Sequence, residues 1–214
     1  MVNKETTPKR DSKTAIFEAA AQEFAERGFD AAGVDRIAAA AGVNKAMLYY
    51  HFTNKRALYL EVLRDMFRAV GAKARAIADG TGTPDEKLDA WIATIIQEAA
   101  GRPWFPPIML RELASGAPRL DPETFAMMNA VFGAVRDIIR QGQDTGRFDP
   151  AADPLLTHLT ILPPVLIFFA RERALAATRE TPPMAEPRLL AEPRNLEQFV
   201  RHMQRAARRM LAHG

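Results

Sequence analysis

The sequence predicts an all-α protein, with a small N-terminal unit of three helices and a larger C-terminal helical part. Apolar residues recur at spacings of three and four from Thr14 onward, and no run alternates with the period of a strand. Hydrophobic residues make up 48% of the 214 residues and charged residues 26%. That balance is typical of globular chains and not of disordered ones.

The N-terminal helices are predicted from caps, turns and apolar stripes. The first runs from about Asp11 to Arg27, and Gly28 suits the position just after its end. The next three are expected at residues 34–41, 45–51 and 55–79. In the turn before the third helix, Gly42 allows the sharp reversal and Asn44 caps the start of that helix. A shared mini-core is expected from Phe24, Ile37, Ala38, Val43, Leu48 and Phe52.

The C-terminal helices begin after a turn cluster at residues 80–84. They are expected at residues 85–100, 107–115, 122–145, 153–178 and 196–212, with a proline-rich loop over 181–193. The stretch 155–170 is apolar nearly all round and shorter than the roughly 20 residues of a membrane span, so it is interpreted as a buried helix. Pro163 and Pro164 are expected to kink or break it.

The third helix carries an unusual outward face. If Leu48 and Phe52 point into the mini-core, the opposite side holds Ala46 and Tyr50, flanked by Met47 and Tyr49. Tyrosine hydroxyls and a lysine ammonium donate to phosphate oxygens, and a small residue lets a backbone come close. Lys45 stands in the first turn, where a recognition helix meets base edges. This face therefore favours a double-stranded DNA partner.

The string IAAAAGVNKAMLYYHFTNKRAL, residues 37–58, resembles the DNA-binding signature of the TetR family of transcriptional regulators. The similar part covers residues 14–63, under a quarter of the chain. The resemblance implies that Lys45, Ala46 and Tyr49 face bases. It also implies that four further positions face phosphates, namely Met47, Tyr50, His51 and Lys55.

The chain departs from the family's pattern at the start of the second helix. It has Gly33 where a threonine or serine is common and Asp35 where a basic residue is frequent. The backbone N–H of Gly33 or of Val34 remains available as a phosphate donor, without a side-chain contact. An arm with Lys4, Lys9 and Arg10 reads equally as a minor-groove contact or as a solvated tail.

The resemblance divides the chain into a DNA-binding domain, residues 1–63, and a ligand-binding and dimerisation domain, residues 64–214. It implies a homodimer on a near-palindromic operator, released by a small molecule of apolar or amphipathic character. Large adaptable side chains are candidates for the cavity, although each is more often core than pocket. These candidates are Trp91, Trp104, Phe105, Met109, Met127, Phe132 and His158.

Other function classes receive little support from the sequence. There is no cysteine, no glycine-rich phosphate loop and no metal-ligand spacing, so no enzyme, cofactor or metal is predicted. A polar N-terminus without an apolar core favours the cytoplasm over secretion or a membrane. Two alternatives stay open: a non-specific DNA-binding protein, and a ligand-binding helical domain with a vestigial helix-turn-helix.

Overall fold

A computed structural model of the protein describes residues 11–178 and 195–212, with the side chains of 174–178 excepted. The basic arm and the proline-rich loop predicted from the sequence lie outside these residues. The described part contains helices and no strand, which confirms the all-α class. The helices are α1 Ser12–Ala31, α2 Val34–Ala40, α3 Lys45–His51, α4 Lys55–Asp79, α5 Pro84–Gly101, α6 Phe105–Ala114, α7 Pro122–Asp144, α8 Pro154–Thr178 and α9 Leu196–Leu211.

The contacts divide the chain into two units that meet in sequence between Leu63 and Arg64. Helices α1 to α3 belong to the first unit and α5 to α9 to the second. Helix α4 begins in the first unit and ends in the second, so one continuous helix contributes residues to both.

Two helices differ from their predicted form. Gly28, with φ of 74°, interrupts α1, but the helix resumes and reaches Ala31 instead of ending there. Helix α8 continues through Pro163 and Pro164, so of the two expected effects, a kink or a break, the break does not occur. The prolines remove two backbone donors, but packing of α8 against α5, α6 and α7 offsets that loss.

The core of the first unit forms where α1, α2 and α3 meet. Phe24, Ile37 and Leu48 are fully buried, and Phe52 is 6% exposed. The ring of Tyr59 packs edge-on against Phe24, with ring centroids 4.9 Å apart. Val43, expected in this core, is only half-buried. Burial of these side chains anchors the inner side of α3 and leaves its other side free.

The core of the second unit is built around α5, which packs against α7, α8 and α9. Trp91, Ile92 and Ile96 are fully buried on it. A capping box fixes its start: the Glu86 N–H donates to Thr83 Oγ1, and Thr83 N–H donates to Glu86 Oε2. The capping box fixes where helix α5 begins and therefore the position of Trp91 along it.

Helix α8 is only partly buried. Over Pro154–Arg173 it is long and apolar enough to cross a bilayer, and 28% of that stretch is buried within the chain. Its inner side buries Ile161, Val165 and Leu166, whereas Leu156 and Ile167 are 65% and 57% exposed. Among the described residues of a single chain, the domain covers only one side of α8.

Candidate DNA-binding face and ligand cavity

The turn between α2 and α3 is held by backbone bonds and one side-chain cap. Gly42 has a φ of 68°, which glycine adopts without steric cost. Val43 N–H donates to the carbonyl of Ala38 at 3.0 Å, closing the turn. Asn44 Oδ1 accepts from Met47 N–H at 2.8 Å, as predicted for the cap of α3. These bonds fix the direction in which α3 leaves the turn.

The outward side of α3 carries the residues that the sequence analysis placed there. Tyr50 is 83% exposed, Tyr49 44% and Met47 39%, and Ala46 is also exposed. Leu48, one position away from both Met47 and Tyr49, is fully buried. The helix therefore presents two phenols and a thioether to solvent.

His51 stands at the C-terminal end of the same helix. Its Nε2 and the hydroxyl of Ser12 share a hydrogen bond of 2.8 Å. Its ring lies 5.1 Å from that of Tyr50, nearly perpendicular to it. His51 thus ties the end of α3 to the start of α1 and supports the Tyr50 ring from one side.

Lys45 forms an ion pair that the sequence analysis missed. Its Nζ lies 2.9 Å from Asp35 Oδ1, and both side chains are more than half exposed. The hydrogen bond to Asp35 raises the pKa of Lys45. In the sequence, Asp35 stood out only as a departure from the family's pattern. The signal for the pair was the unusual acid ten residues before a lysine, which only the turn brings together.

Lys55 is engaged by its own unit. Its Nζ donates to the carbonyls of Ala32 at 2.7 Å and Asp30 at 3.2 Å. It also lies over the Phe29 ring, 4.7 Å from the centroid. An ammonium has three donors, so one hydrogen remains for a phosphate. Lys55 closes the corner between α1 and α2 in addition to any role toward DNA.

The Gly33 N–H, expected to be available to a phosphate, is already occupied. It donates to Glu23 Oε1 at 3.1 Å, and the same oxygen accepts from Arg36 at 2.6 Å. Partial burial works against the charge of Glu23. The bonds from Gly33 and Arg36 and the nearby Arg27 outweigh that effect and lower its pKa. Glu23 therefore clamps the start of α2, which corrects the expectation for Gly33.

The second unit contains a cavity of about 230 Å³ enclosed by α4 to α8. Five of the seven candidate residues line it: Trp91, Phe105, Met109, Phe132 and His158. Trp104 and Met127 do not. Trp104 packs edge-on against Phe105 with centroids 6.2 Å apart, and Met127 is half-buried beside the lining residue Met128.

Much of the cavity wall is formed by residues that were not predicted from the sequence. Additional lining residues come from α4, α5, α6 and α8, and include Met66, Phe67, Val70, Ile95, Leu113 and Leu162. Met66 and Val70 are four residues apart on α4 and so share one face. That spacing was visible in the sequence, but it reads equally as ordinary core.

Two polar groups stand out in this apolar wall. His158 is 8% exposed and Trp91 fully buried, and their ring centroids lie 5.8 Å apart. Within the described part of the chain, neither His158 Nδ1 nor Trp91 Nε1 has a hydrogen-bond partner. Burial lowers the pKa of His158 to about 4, so the imidazole is neutral at pH 7.

The sequence is similar to known families along most of its length. The profile described as "Bacterial regulatory proteins, tetR family" matches residues 16–62, and that described as "Tetracyclin repressor-like, C-terminal domain" matches residues 84–204. The chain is 46% identical over 57 residues to the transcriptional activator FasR of Mycolicibacterium smegmatis, covering 27% of this chain and 26% of that one. It is 27% identical over 156 residues to the transcriptional repressor NicS of Pseudomonas putida, covering 72% and 73%.

The fold has solved counterparts. The structure of the ketosteroid transcriptional regulator KstR2 of Mycobacterium tuberculosis superposes with a TM-score of 0.74 at 22% identity, covering 96% of this chain and 97% of that one. Regulators of this kind bind operator DNA, typically as homodimers with small-molecule effectors. Because the C-terminal profile alone spans more than half of the 214 residues, the chain belongs to the tetR family of bacterial regulatory proteins and is a DNA-binding transcription regulator.

Proposed function

We propose that this regulator is a homodimeric repressor that holds a near-palindromic operator and is released when a small apolar or amphipathic molecule occupies the cavity of its second unit. The observation that carries the proposal is the outward side of α3, where Tyr49 and Tyr50 are exposed while Leu48 anchors the helix. Lys45, Ala46 and Tyr49 read bases. Phosphates are met by Met47, Tyr50, His51 and the remaining donor of Lys55.

The dimer supplies the second recognition helix. On α8, Leu156, Leu159 and Ile167 form an exposed apolar stripe, and Met210 of α9 is 39% exposed. The two helices pack together through Phe168 and Phe199, whose rings stack 4.0 Å apart. Pairing α8 and α9 with those of a second copy makes a four-helix bundle and removes the stripe from water. A buried dimer interface also accounts for an apolar α8 in a cytoplasmic protein without membrane insertion.

Helix α4 connects the cavity to the DNA-binding unit along the chain. Its residues Met66, Phe67 and Val70 line the cavity, and its first turn holds Lys55 against the carbonyls of Asp30 and Ala32. A ligand that packs better against one position of α4 shifts the population toward that position. The coupling between effector and operator is expected to be about 1–3 kcal/mol, the usual range for such switches.

The experiment uses the purified full chain and an operator selected by it from random duplexes. Light scattering gives the oligomeric state, and fluorescence anisotropy gives operator affinity with and without apolar molecules. A dimer with sequence preference, weakened by at least one molecule, is expected. A monomer, or affinity equal to that for random DNA, contradicts the proposal.

Repression and activation are separated by a reporter. FasR carries the name of an activator and NicS that of a repressor, so the direction needs its own test. With the selected operator overlapping a promoter, we expect expression to fall when the regulator is produced and to recover with effector. Expression that rises with the regulator contradicts repression while leaving DNA binding intact.

A further inference from the structure

The cavity wall is apolar except at few points. Among the described residues that line it, no lysine, arginine, aspartate or glutamate occurs; the polar side chains are Asn129 and His158, with the Trp91 indole N–H. A charged ligand group would lose its water there without gaining a counter-charge, which is costly in an apolar environment. The lining therefore disfavours carboxylates, phosphates and ammonium groups.

The rings that carry the two unpartnered nitrogens are neighbours. His158 packs between two aromatic rings, with centroids 5.8 Å from Trp91 and 5.4 Å from Phe132. A buried polar group without a partner is uncommon in folded proteins and destabilises them. Two such groups, each more than nine-tenths buried in the wall of one cavity, indicate that something absent from the chain itself satisfies them.

The chemistry of the two nitrogens defines that partner. Trp91 Nε1–H only donates, so the partner atom must be an acceptor. A neutral imidazole nitrogen either accepts from a hydroxyl or, as the other tautomer, donates to an oxygen. A hydroxyl or a carbonyl oxygen therefore satisfies both groups, and a hydrocarbon satisfies neither.

We propose that the effector is an uncharged, mainly apolar molecule whose hydroxyl or carbonyl oxygen hydrogen-bonds Trp91 Nε1 and His158 Nδ1. This inference rests on the proposed function of the cavity and names the chemical class of its ligand. Recruitment of a carboxylate by protonated His158 is disfavoured, because a group with a pKa of about 4 is protonated in only about one molecule in a thousand at pH 7. A trapped water is the competing occupant.

The test compares three probes with one carbon chain: 1-octanol, 1-chlorooctane and octanoate. Calorimetry on the DNA-free full chain at pH 7 measures their affinities. We expect 1-octanol to bind about tenfold or more tighter than either of the others, the gain of a well-made buried hydrogen bond. Equal or tighter binding of octanoate, equal binding of 1-chlorooctane, or no saturable binding of 1-octanol overturns the inference.

Matched variants locate the oxygen. Trp91→Phe removes the N–H and keeps a ring, and His158→Phe does the same for the imidazole. Each is expected to reduce the advantage of 1-octanol over 1-chlorooctane about tenfold, with 1-chlorooctane affinity little changed. Trp104→Phe, buried but outside the lining, is the control and should preserve it. If 1-octanol keeps its advantage over 1-chlorooctane in both Trp91→Phe and His158→Phe, the inference is contradicted. A site in which water satisfies the two nitrogens would give that result.

The Trp104→Phe variant adds a spectroscopic readout. The chain has two tryptophans, so Trp91 is then the sole indole emitter, and a new hydrogen bond to its N–H should shift its emission to the red with 1-octanol but not with 1-chlorooctane. An emission unchanged by bound 1-octanol counts against the proposed contact.

Operator affinity measured separately with the same three probes distinguishes the two proposals. If 1-octanol binds through Trp91 and operator affinity stays constant, the inference on the ligand stands and the proposed release mechanism is wrong. If operator affinity falls equally with 1-octanol and octanoate, the release mechanism stands and the ligand class is wrong.

Discussion

Apolar and aromatic side chains are exposed on the outward side of α3, whereas around the cavity of the second unit they are largely buried. On α3, Tyr50 is 83% exposed and Tyr49 44%. In the cavity, Trp91 is fully buried and its N–H has no partner in the described part of the chain. The first surface is open to solvent, whereas the second borders a cavity of about 230 Å³.

The two regions also differ in how the chain builds them. The α3 surface comes from seven consecutive residues, one cap and one turn. The cavity collects residues from five helices, from Met66 of α4 to Leu166 of α8. Substitutions of the exposed residues of α3 should therefore change DNA binding and leave stability unchanged, whereas substitutions in the cavity should alter both ligand binding and stability.

The largest effect is expected from acid acting on the cavity. The folded pKa of His158 is about 4, below its ordinary value of 6.5. Between these values the unfolded chain binds a proton that the folded chain does not, so stability is complete above pH 6.5 and declines as pH falls toward 4. The shift corresponds to about 3 kcal/mol at most.

Denaturant unfolding of the parent and His158→Phe at pH 7 and pH 4.5 measures this loss. The parent should lose more unfolding free energy than the variant across that interval, because other groups titrate in both proteins. Equal losses would show that His158 is not buried as a neutral imidazole.

The second effect concerns the tyrosines of α3. Tyr49→Ala should weaken operator binding by about 1–3 kcal/mol and relax the choice of base at one position in each half-site. Tyr50→Ala should weaken operator and random DNA alike, as a phosphate contact does. Anisotropy titrations on both duplexes measure this, and the helical melt should be unchanged. A variant that binds as the parent does, or melts early, breaks the proposed division between the two regions.

The ease of predicting these regions from sequence depends on their construction. The caps, the Gly42 turn and the alternation of Leu48 with the tyrosines are local, so the bounds of α3 and its outward side were predictable and are confirmed. Which residues line the cavity depends on which side of each helix faces inward. Trp104 and Met127 have the right chemistry but do not line the cavity, whereas Met66 and Phe67 do.

Hydrogen bonds between residues far apart in the sequence of the first unit could not be predicted either. The Lys55 ammonium reaches carbonyls 23 and 25 residues earlier, and Gly33 N–H reaches a carboxylate ten residues earlier. Residue type alone predicts neither contact, because any exposed lysine or glycine could equally contact DNA. The bounds of α8 were predictable, but its continuity through two prolines depends on its packing partners.

The third prediction sharpens the role of Lys55. Lys55→Met keeps the aliphatic stem and removes the ammonium, so the carbonyls of Asp30 and Ala32 lose their donor. We expect the first unit to lose about 1 kcal/mol of stability. If the remaining hydrogen also meets a phosphate, the slope of log affinity against log salt falls by about one unit. A variant with unchanged stability contradicts the structural role, and an unchanged slope contradicts the phosphate contact.

The smallest effect is expected from Asp35. Asp35→Asn removes the negative partner of Lys45, whose Nζ lies 2.9 Å from the carboxylate. The freed ammonium should strengthen binding to random DNA and raise the salt slope by at most about one unit. Operator and random duplexes are titrated at several salt concentrations. Asp35→Glu keeps the charge and serves as the control; a gain in that variant as well would exclude release of Lys45 as the cause.

In the proposed function, the exposed sides of two α3 helices, one from each protomer, bind operator DNA. Hydroxyl-radical footprinting of the full chain on its selected duplex tests this most directly. We expect two symmetric half-sites protected from cleavage, about one helical turn apart on one side of the duplex. In Tyr49→Ala, both half-sites should lose this protection. A single half-site, or protection that persists in that variant, would contradict it.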